Sequence, residues 1–575
     1  MDTGAVPGQA GVKMTMLLPA LLMACGPARI DKPVGDPTSD AAVEVVADAP
    51  GPDAYDPVHV IDVQIELADA DWSSLCAQTR DPYELLSGEC QAQPFENPFT
   101  PFSATVTLDG ETFGPVTVRK KGFLGSLSDV KPSLKIDLAE YDPTLSWSGV
   151  DHLTLNNAIS DPSYVRQCLG FGVFTAAGVP APRCSFARVT VNGEYLGVYA
   201  NVEPIGGAFL DRHFSSDEGN LYEGTLSDFR EGWTGTFQKK TNEEANDWSD
   251  IEAVVAALQV EDEALVEALE PLIDLDAFLT FWASEVLITH VDGYAWNTNN
   301  FLVYADPSDG RFRFIPWGID SVFLPEEQIA GIPASVYAYG ELTRRLYAVP
   351  DMRDRYLDRL RSLLGSAWNE EALLVEVDRM EGMVESELPS SDRAAARAGA
   401  DDVRGMIQGQ RDRILGEIGG GGIEWPYASR DSFCFTQLGT AQATFATTWG
   451  SLATSDAFTT GVATLDLEWG GTTLPTAQVG SVAGAQDGQA VLYVAAWLDA
   501  TQAVVVYVTA PQSAVQPGDF PIAFGTAGLY YIDTATMTDF TFVAYIVGEV
   551  DLQEAETTEG GVILGSLDGE LWSWG

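Results

Sequence analysis

The sequence has few basic residues. Its 31 lysines and arginines stand against 84 aspartates and glutamates, and the formal net charge is −53. Nucleic acids and anionic lipid surfaces both attract basic proteins, so this balance argues against binding to either of them. Histidine is also scarce. His59, His152, His213 and His290 show no paired spacing, so the sequence predicts no zinc site.

Other absences narrow the choice further. No apolar run reaches the roughly 20 residues that a transmembrane helix needs, and no Gly-x-Ser-x-Gly motif suggests a serine hydrolase. Only six cysteines are present. Cys76 and Cys90 are close in sequence, as are Cys168 and Cys184, so each pair is a predicted candidate for closing a short loop. Cys434 is either left over or pairs in a way that the sequence does not reveal.

The N-terminus has the pattern of an export signal. Lys13 precedes an apolar run at 14–25, MTMLLPALLMAC, which is too short to span a bilayer. The end of this run, Leu-Met-Ala-Cys, resembles a bacterial lipobox, which implies cleavage before Cys25 and lipidation of that residue. An ordinary cleaved signal at 1–25 is the alternative. Residues 26–57 are rich in Pro, Asp and Ala and are expected to form a flexible acidic tether. We therefore expect an exported lipoprotein, attached to a membrane only through its lipid.

The remaining chain is too long for one hydrophobic core. Residues 58–225 contain alternating runs typical of strands and an Asn-Gly hairpin signal, whereas 226–420 are mainly helical. A run of four glycines at 419–422 predicts a linker. From 428 to 575 the chain is rich in Thr, Gly and Val, with many short alternating runs. We expect an α+β domain at 58–420, followed by an all-β, sandwich-like domain.

The lysines are concentrated in one segment. Four of the eight, Lys120, Lys121, Lys131 and Lys135, lie close together in an otherwise acidic chain. Such a cluster is either an anion-binding site or a solvated edge strand protected by lysines. Composition alone favours the second interpretation.

Several motifs follow one another in a fixed order. They are Arg119-Lys120-Lys121-Gly122, the segment Lys131–Asp137, LTLNNAISDPSYVR at 153–166, VNGEYLGVYANVE at 191–203, HVDGYAWNTNNFLVY at 290–304 and RFRFIPWGIDSVF at 311–323. This series resembles the CotH kinase family, the spore-coat protein kinases with an atypical protein-kinase-like fold. The resemblance implies phosphorylation of protein Ser or Thr with ATP and a divalent metal, Mg²⁺ or Mn²⁺, with Ca²⁺ as a further alternative.

Phosphoryl transfer needs cations over the phosphates, oxygen ligands for a metal, and a group that orients the nucleophile. Lys121 and Lys135 are the candidates for the phosphates, together with Arg119 of the same motif. The loop 122–128 is expected to bring backbone N–H groups near them. A lysine in a kinase-like sheet usually pairs with an acidic residue, and Glu203 is the expected partner of Lys135.

The later motifs supply the remaining candidates. Asp292 is expected to orient the substrate hydroxyl, and Asn300, eight residues later, to bind metal, as in ordinary kinases. Asn297 and Asn299 are alternatives to Asn300. Asp320 is the second expected metal ligand. His290 is expected to be a packed residue.

One position departs from the family pattern. Family members commonly have Trp-Asp-x-Asp where this chain has Trp317-Gly318-Ile319-Asp320. The missing carboxylate leads to an alternative function, a catalytically weak surface scaffold that binds partners. If that interpretation holds, we expect Gly318→Asp to restore phosphate transfer. A third interpretation, calcium-assisted adhesion, relies on the acidic composition alone.

Overall fold

The computed structural model describes residues 53–574 except 246, 451, 453–459, 487, 500–501, 524 and 534–539. The predicted signal, the predicted lipidation site at Cys25 and most of the predicted tether therefore lie outside the described residues. Among the helices that are described, none has the length and apolar character needed to cross a membrane. The chain divides into two compact units. Within the described residues, the first comprises the chain up to Arg80 together with Ala92–Arg430, and the second comprises Asp81–Gln91 and the chain from Asp431 onwards.

The first unit contains a closed seven-stranded sheet. Its strands are β1 (Val60–Glu66), β2 (Phe102–Leu108), β3 (Glu111–Lys121), β4 (Ser133–Asp137), β5 (His152–Asn156), β6 (Cys184–Val191) and β7 (Glu194–Val202). They follow the order β1-β2-β3-β4-β5-β7-β6, and β1 closes the ring by pairing in parallel with β6. The predicted hairpin at Asn192-Gly193 is confirmed, and both residues have positive φ, as a tight two-residue turn requires.

A second, open sheet lies in the same unit. Its strands are β8 (Leu221–Gly224), β9 (Phe237–Lys239), β10 (Phe301–Asp306) and β11 (Arg311–Pro316), in the order β11-β10-β8-β9. The hairpin register places Phe301 opposite Pro316. The residues just outside the hairpin, Asn300 and Trp317, therefore meet, and the Trp317 N–H donates to the Asn300 carbonyl at 3.2 Å.

The helices frame these sheets. In chain order they are α1 (Asp69–Ala77), α2 (Pro82–Leu85), α3 (Arg166–Ala176), α4 (Gly207–His213), α5 (Ser249–Ala257), α6 (Asp262–Leu269), α7 (Leu275–Leu287), α8 (Tyr294–Asn297), α9 (Glu341–Ala348), α10 (Pro350–Ser366), α11 (Glu370–Glu387) and α12 (Arg393–Ile418). All except α2 belong to the first unit. Helix α7 is almost entirely buried, and the ring of Trp282 stacks on that of Tyr356 with 4.0 Å between centroids. This packing fixes the end of α7 and hence the loop that follows it.

The second unit consists mainly of strands. They are β12 (Phe435–Thr448), β13 (Val462–Trp469), β14 (Thr472–Leu474), β15 (Ala477–Gln486), β16 (Gln489–Trp497), β17 (Gln502–Pro511), β18 (Gly518–Ile522), β19 (Ala527–Asp533), β20 (Phe540–Ala555) and β21 (Val562–Trp574). The predicted α+β fold with a C-terminal all-β region is confirmed. The described strands of that region all join one antiparallel sheet, in which β18 pairs with β20 beside the main order. An isolated bridge between Trp449 and Ala483 links distant strands of that order.

The disulfide pairing differs in part from the prediction. Cys168 and Cys184 are bonded, as predicted. The predicted Cys76–Cys90 pair is wrong, because Cys90 is bonded to Cys434 and the Cys76 thiol is free. The reason lies in the chain path: residues 81–91 belong to the second unit, whereas Cys76 lies on α1 of the first. Proximity in sequence therefore did not predict proximity in space.

Candidate active site

The candidate site lies between the outer face of the closed sheet and the open sheet. On β3 and β4, Val118, Leu134 and Ile136 are fully buried inside the closed sheet. Because side chains alternate along a strand, the residues between them point outward. The register pairs Arg119 with Lys135 on that outer face. The end of β3 then brings Lys121 to the open sheet.

Lys121 is held by its surroundings. Its Nζ donates to Oδ1 of Asn156 at 2.5 Å, and it lies 5.6 Å from the ring centroid of Trp317. The Nδ2 of Asn156 donates in turn to Gln167 on α3 at 2.9 Å. Burial lowers the pKa of Lys121 to about 8, while the charges of Glu223 and Asp320 act in the opposite direction. The ammonium therefore stays mostly protonated at neutral pH.

Arg119 and Lys135 form a pair of neighbouring cations. Burial lowers the pKa of Lys135, and the charges of Arg119 and Lys240 add to this effect. Within the described part of the chain, neither Arg119 nor Lys135 forms an ion pair or a side-chain hydrogen bond. The charge of Asp137 acts on both cations and that of Asp151 on Lys135, without an ion pair to either. Two adjacent cations with no carboxylate in direct contact among the described residues suit a polyanion such as a phosphate chain.

The predicted partner of Lys135 is wrong. Glu203 lies just past the end of β7, where its carboxylate pairs with Arg183 at 3.0 Å and with Arg212. The Glu203 N–H donates to the Arg183 carbonyl at 2.9 Å, so backbone pairing between the ends of β6 and β7 holds this glutamate beside Arg183. The acidic residues that act on the site lysine Lys121 are Glu223, on β8, and Asp320.

The other two clustered lysines are structural. The Nζ of Lys120 donates to the Gln78 and Cys76 carbonyls, the latter at 2.7 Å. The Nζ of Lys131 donates to the Val198 carbonyl at 2.9 Å and lies over the Tyr199 ring. The cluster therefore divides into two inward-anchored lysines and two lysines that face the site.

The loop 122–128 is tightly folded next to these cations. Gly122 has a φ of 130°, and a Cβ at this position would lie 2.8 Å from Oγ of Ser126. Asn157 anchors the loop, because its Nδ2 donates to the Ser126 carbonyl at 2.9 Å and to the Lys131 carbonyl at 2.8 Å. The loop backbone is thereby fixed beside Lys121.

Asp292 lies at the centre of a cluster of asparagine amides. Its Oδ1 accepts from Nδ2 of Asn297 at 2.6 Å and of Asn299 at 3.3 Å, and its Oδ2 accepts from Nδ2 of Asn300 at 2.6 Å. The expected metal ligand and both alternatives thus contact the expected catalytic aspartate. A carboxylate has about four lone-pair sites, so three donors leave room for a substrate hydroxyl.

A buried glutamate shapes this loop. The carboxylate of Glu285 accepts from the Tyr294 N–H at 2.8 Å and from the Ala295 N–H at 2.9 Å, which caps the short helix α8. His290 is fully buried, with Nδ1 3.4 Å from Glu285. It is therefore a packed residue, as expected.

Asp320 lies close enough to Asp292 and Lys121 for their charges to act on its carboxyl. Burial raises the pKa of Asp320 to about 6, the nearby Asp292 carboxylate adds to the increase, and Lys121 opposes it. Throughout the described chain, no other side chain donates a hydrogen bond to the Asp320 carboxylate. The protein itself thus does little to stabilise the negative charge of this carboxylate. A carboxylate that binds a cation is expected to have this property.

Gly318 is explained by its close approach to Asn300. It has a φ of 54°, and a Cβ built there would lie 2.3 Å from Oδ1 of Asn300. Any side chain at this position therefore displaces the Asn300 amide. Gly318→Asp would therefore add a carboxylate at the expense of the present position of the Asn300 amide, and the rescue of phosphate transfer by this variant stays a prediction.

The oxygen donors present fit a small hard cation. Asp320 supplies a carboxylate, and Asn300 supplies an amide oxygen. Over the described residues, no cluster of three or more His, Cys, Asp or Glu side chains forms a metal site. A site with so few protein ligands suits Mg²⁺, which usually keeps water and substrate phosphate oxygens in its shell.

Comparison with known proteins identifies the class. A family model described as CotH kinase protein matches residues 118–409, just over half of the chain. The chain therefore belongs to the CotH kinase family, and the resemblance seen in its motifs is confirmed. All the candidate residues for phosphate, metal and hydroxyl binding lie within the matched segment.

Individual relatives match over shorter stretches. The inner spore coat protein H of Bacillus subtilis is 25% identical over 240 residues, which cover 39% of this chain and 65% of that protein. Invasin CotH2 of Rhizopus delemar is 24% identical over 190 residues, which cover 30% of this chain and 32% of that one. The chain thus spans less than two thirds of either relative.

Among solved structures, the Helicobacter pylori proinflammatory kinase CtkA aligns with a TM-score of 0.26 and 9% identity. The alignment covers 49% of this chain and 91% of that one. At this similarity we draw no residue correspondence.

Sequence reasoning missed three contributors to the site. Asn156 lies within the motif at 153–166, but nothing in that motif marks it as the residue that holds Lys121. Glu223 follows a buried tyrosine in the short strand β8. Its position beside the site could not be predicted without knowing where that strand lies in the sheet. Arg430, which contacts Asn297, had no signal in the sequence.

Proposed function

We propose that this protein transfers the terminal phosphoryl group of ATP to a Ser or Thr hydroxyl of a protein substrate. One observation supports the proposal: four candidate site residues lie close together between two sheets of a CotH-family unit. They are Lys121, Asp292, Asn300 and Asp320. These four residues come from β3, the loop after α7, the start of β10 and the exit of β11. Such a convergence of cation, carboxylates and amide is what phosphoryl transfer needs.

Each group has a role in the proposed reaction. Arg119, Lys121 and Lys135 bind the phosphates and neutralise their charge. Asp292 accepts a hydrogen bond from the substrate hydroxyl and orients it toward the phosphorus. Asn300 and Asp320 would hold a divalent metal, which when bound neutralises charge on the phosphate oxygens.

We also propose export and membrane attachment through a lipid on Cys25. This part relies on the sequence pattern at 1–25 alone. It makes the expected substrate an extracytoplasmic or cell-surface protein.

Intact-mass measurement of autophosphorylation tests the activity directly. The wild type with ATP and Mg²⁺ or Mn²⁺ should gain mass in steps of one phosphate, and Asp292→Ala should not. Asp354→Asn, which removes an exposed carboxylate on α10, is the matched control and should behave as the wild type. If the wild type gained no mass and transferred no phosphate to general protein substrates, the proposal would fail.

The second candidate is a binding protein with little or no transfer activity, and the specific observation in its favour is Gly318. Here nucleotide and metal raise the melting temperature of the wild type while no phosphate is incorporated. Loss of that shift in Lys121→Ala would confirm binding at this site. An absence of any shift with nucleotide would count against both candidates.

A further inference from the structure

The segment Ile423–Arg430, which we call the strap, follows helix α12 and lies against α8, the short helix that begins two residues after Asp292. The ring of its Trp425 packs on Tyr339 with 4.9 Å between centroids and on Trp296, of α8, with 6.4 Å. Two hydrogen bonds reinforce this contact. The Tyr347 hydroxyl donates to the Ile423 carbonyl at 2.8 Å, and the Ser429 hydroxyl donates to Glu341 at 2.6 Å. The strap is therefore fixed at both ends.

Arg430 is the last residue of the strap and the one nearest the candidate site. Its N–H donates to the Tyr339 carbonyl at 3.2 Å, and its own carbonyl accepts from the guanidinium of Arg230. Its backbone is thus held on both sides. Its guanidinium lies over the Tyr339 ring and donates from Nη2 to Oδ1 of Asn297 at 2.7 Å.

Asn297 connects this contact to Asp292. The oxygen of its amide accepts from Arg430, and the nitrogen of the same amide donates to Asp292 at 2.6 Å. Because the amide group is planar, fixing its oxygen also fixes the direction of its nitrogen. Without Arg430 the amide is free to rotate and to present its oxygen to the Asp292 carboxylate, which would repel it.

We propose that Arg430 is a positioning residue for Asp292 and acts through the Asn297 amide. The charged donor selects the one amide orientation in which Asn297 stabilises the carboxylate and keeps it aimed at the substrate hydroxyl. This inference rests on the proposed kinase function, in which Asp292 orients that hydroxyl. It adds a residue that lies beyond the segment matched by the CotH family model.

The test compares three variants of the full-length protein. Arg430→Met removes the donor and keeps the length of the side chain. Arg430→Lys keeps a charged donor. Glu424→Gln removes a different strap contact, the 2.8 Å ion pair between exposed Glu424 and Arg353, and is the matched control. For each, kcat and KM for ATP are measured together with hydrogen exchange of the peptide containing 290–300.

We expect Arg430→Met to lower kcat by about tenfold to a hundredfold, as for a misaligned catalytic group, with KM for ATP within about twofold of the wild type. Arg430→Lys should recover most of the loss, and Glu424→Gln should match the wild type. Hydrogen exchange in 290–300 should increase in Arg430→Met alone. Unchanged kcat in Arg430→Met, or an equal loss in Glu424→Gln, would overturn the inference.

Hydrogen exchange separates this inference from the kinase proposal. If the wild type transfers no phosphate, the proposed function fails, and exchange in 290–300 alone decides whether Arg430 restrains the loop; unchanged exchange overturns the inference. Should Arg430→Met fail to fold, Arg430→Gln, which removes the charge but keeps a polar side chain, replaces it in the same comparison.

Discussion

At the scale of single residues, burial acts on the site's opposite charges in opposite directions. It lowers the pKa of Lys121 and raises the pKa of Asp320. Both shifts mean that the folded protein destabilises the charged form of each group. A site that binds a metal and a nucleotide has such groups, because their charges are compensated only when the ligands are bound.

Replacing Asp320 should make stability depend less on pH. The pKa of its carboxyl is raised in the folded state to about 6. Its contribution to stability is therefore fully present below the unfolded value near 4 and is lost as the pH rises through 6. In metal-free buffer, Asp320→Asn should gain stability relative to the wild type between pH 4 and pH 7, by at most about 3 kcal/mol. Urea unfolding at several pH values measures this, and a pH-independent difference would contradict it.

An alanine side chain at position 318 should damage the site. Gly318→Ala places a Cβ against Asn300 and also forces a left-handed residue, which costs about 1–2 kcal/mol for the backbone alone. Gly310 has a φ of 73° with open space around it, so Gly310→Ala provides the control for the backbone cost. We expect Gly318→Ala to unfold at lower urea than Gly310→Ala and to weaken Mn²⁺ binding measured by calorimetry. Equal effects of the two variants would show that the Asn300 contact does not matter.

At the scale of elements, helix α7 and the loop after it show what the sequence could predict. The three- and four-residue spacing of apolar side chains predicted a helix here, and α7 runs from Leu275 to Leu287. The loop was not predictable in detail, because Thr298 and Asn300 adopt positive φ for reasons set by their neighbours. The order of motifs thus identified Asp292 and Asn300 as site residues, but it did not predict the hydrogen bond between their side chains.

The errors have a similar origin. The partner of Glu203 depends on which strand ends meet, and the partner of Cys90 on which unit its segment joins. Both depend on contacts between residues that are far apart in sequence, and local residue spacing does not predict such contacts. The single sheet of the second unit is another such fact, since alternation predicts strands without saying how they are ordered.

Removing the buried cap of α8 should destabilise the first unit. Glu285→Ala leaves the N–H groups of Tyr294 and Ala295 without their acceptor in a buried place. Hydrogen bonds to charged groups contribute about 1.5–3 kcal/mol, so we expect a loss of at least about 2 kcal/mol. Glu252→Ala, at an exposed position on α5, is the control and should change the free energy of unfolding by less than about 0.5 kcal/mol. A similar result for both variants, measured by chemical denaturation, would contradict this account.

At the scale of the whole molecule, the two disulfides among the described residues constrain very different lengths of chain. Cys168–Cys184 closes a separation of 16 residues, whereas Cys90–Cys434 closes one of 344. In the loop-entropy description, the first stabilises by about 3 kcal/mol and the second by about 5–6 kcal/mol. The longer bond also holds residues 81–91 in a unit made otherwise of the C-terminal chain.

Cys434→Ser should therefore lower thermal stability more than Cys168→Ser, because it releases the longer loop. Differential scanning calorimetry of the full-length protein measures both effects. Cys76→Ser removes a free thiol and should leave the unfolding transitions unchanged. A larger effect of Cys168→Ser than of Cys434→Ser would show that local strain or packing outweighs loop length.

The strap has a practical consequence for how this protein is studied. The segment matched by the family model ends at 409, helix α12 ends at Ile418, and composition predicted a domain end at 420. Every one of these limits stops short of Arg430. A recombinant fragment cut at any of them would keep both sheets and the candidate ligands, yet lose the residue that sets the Asn297 amide. Low activity in such a fragment would then reflect where the chain was cut, and this protein would be misclassified as a pseudoenzyme.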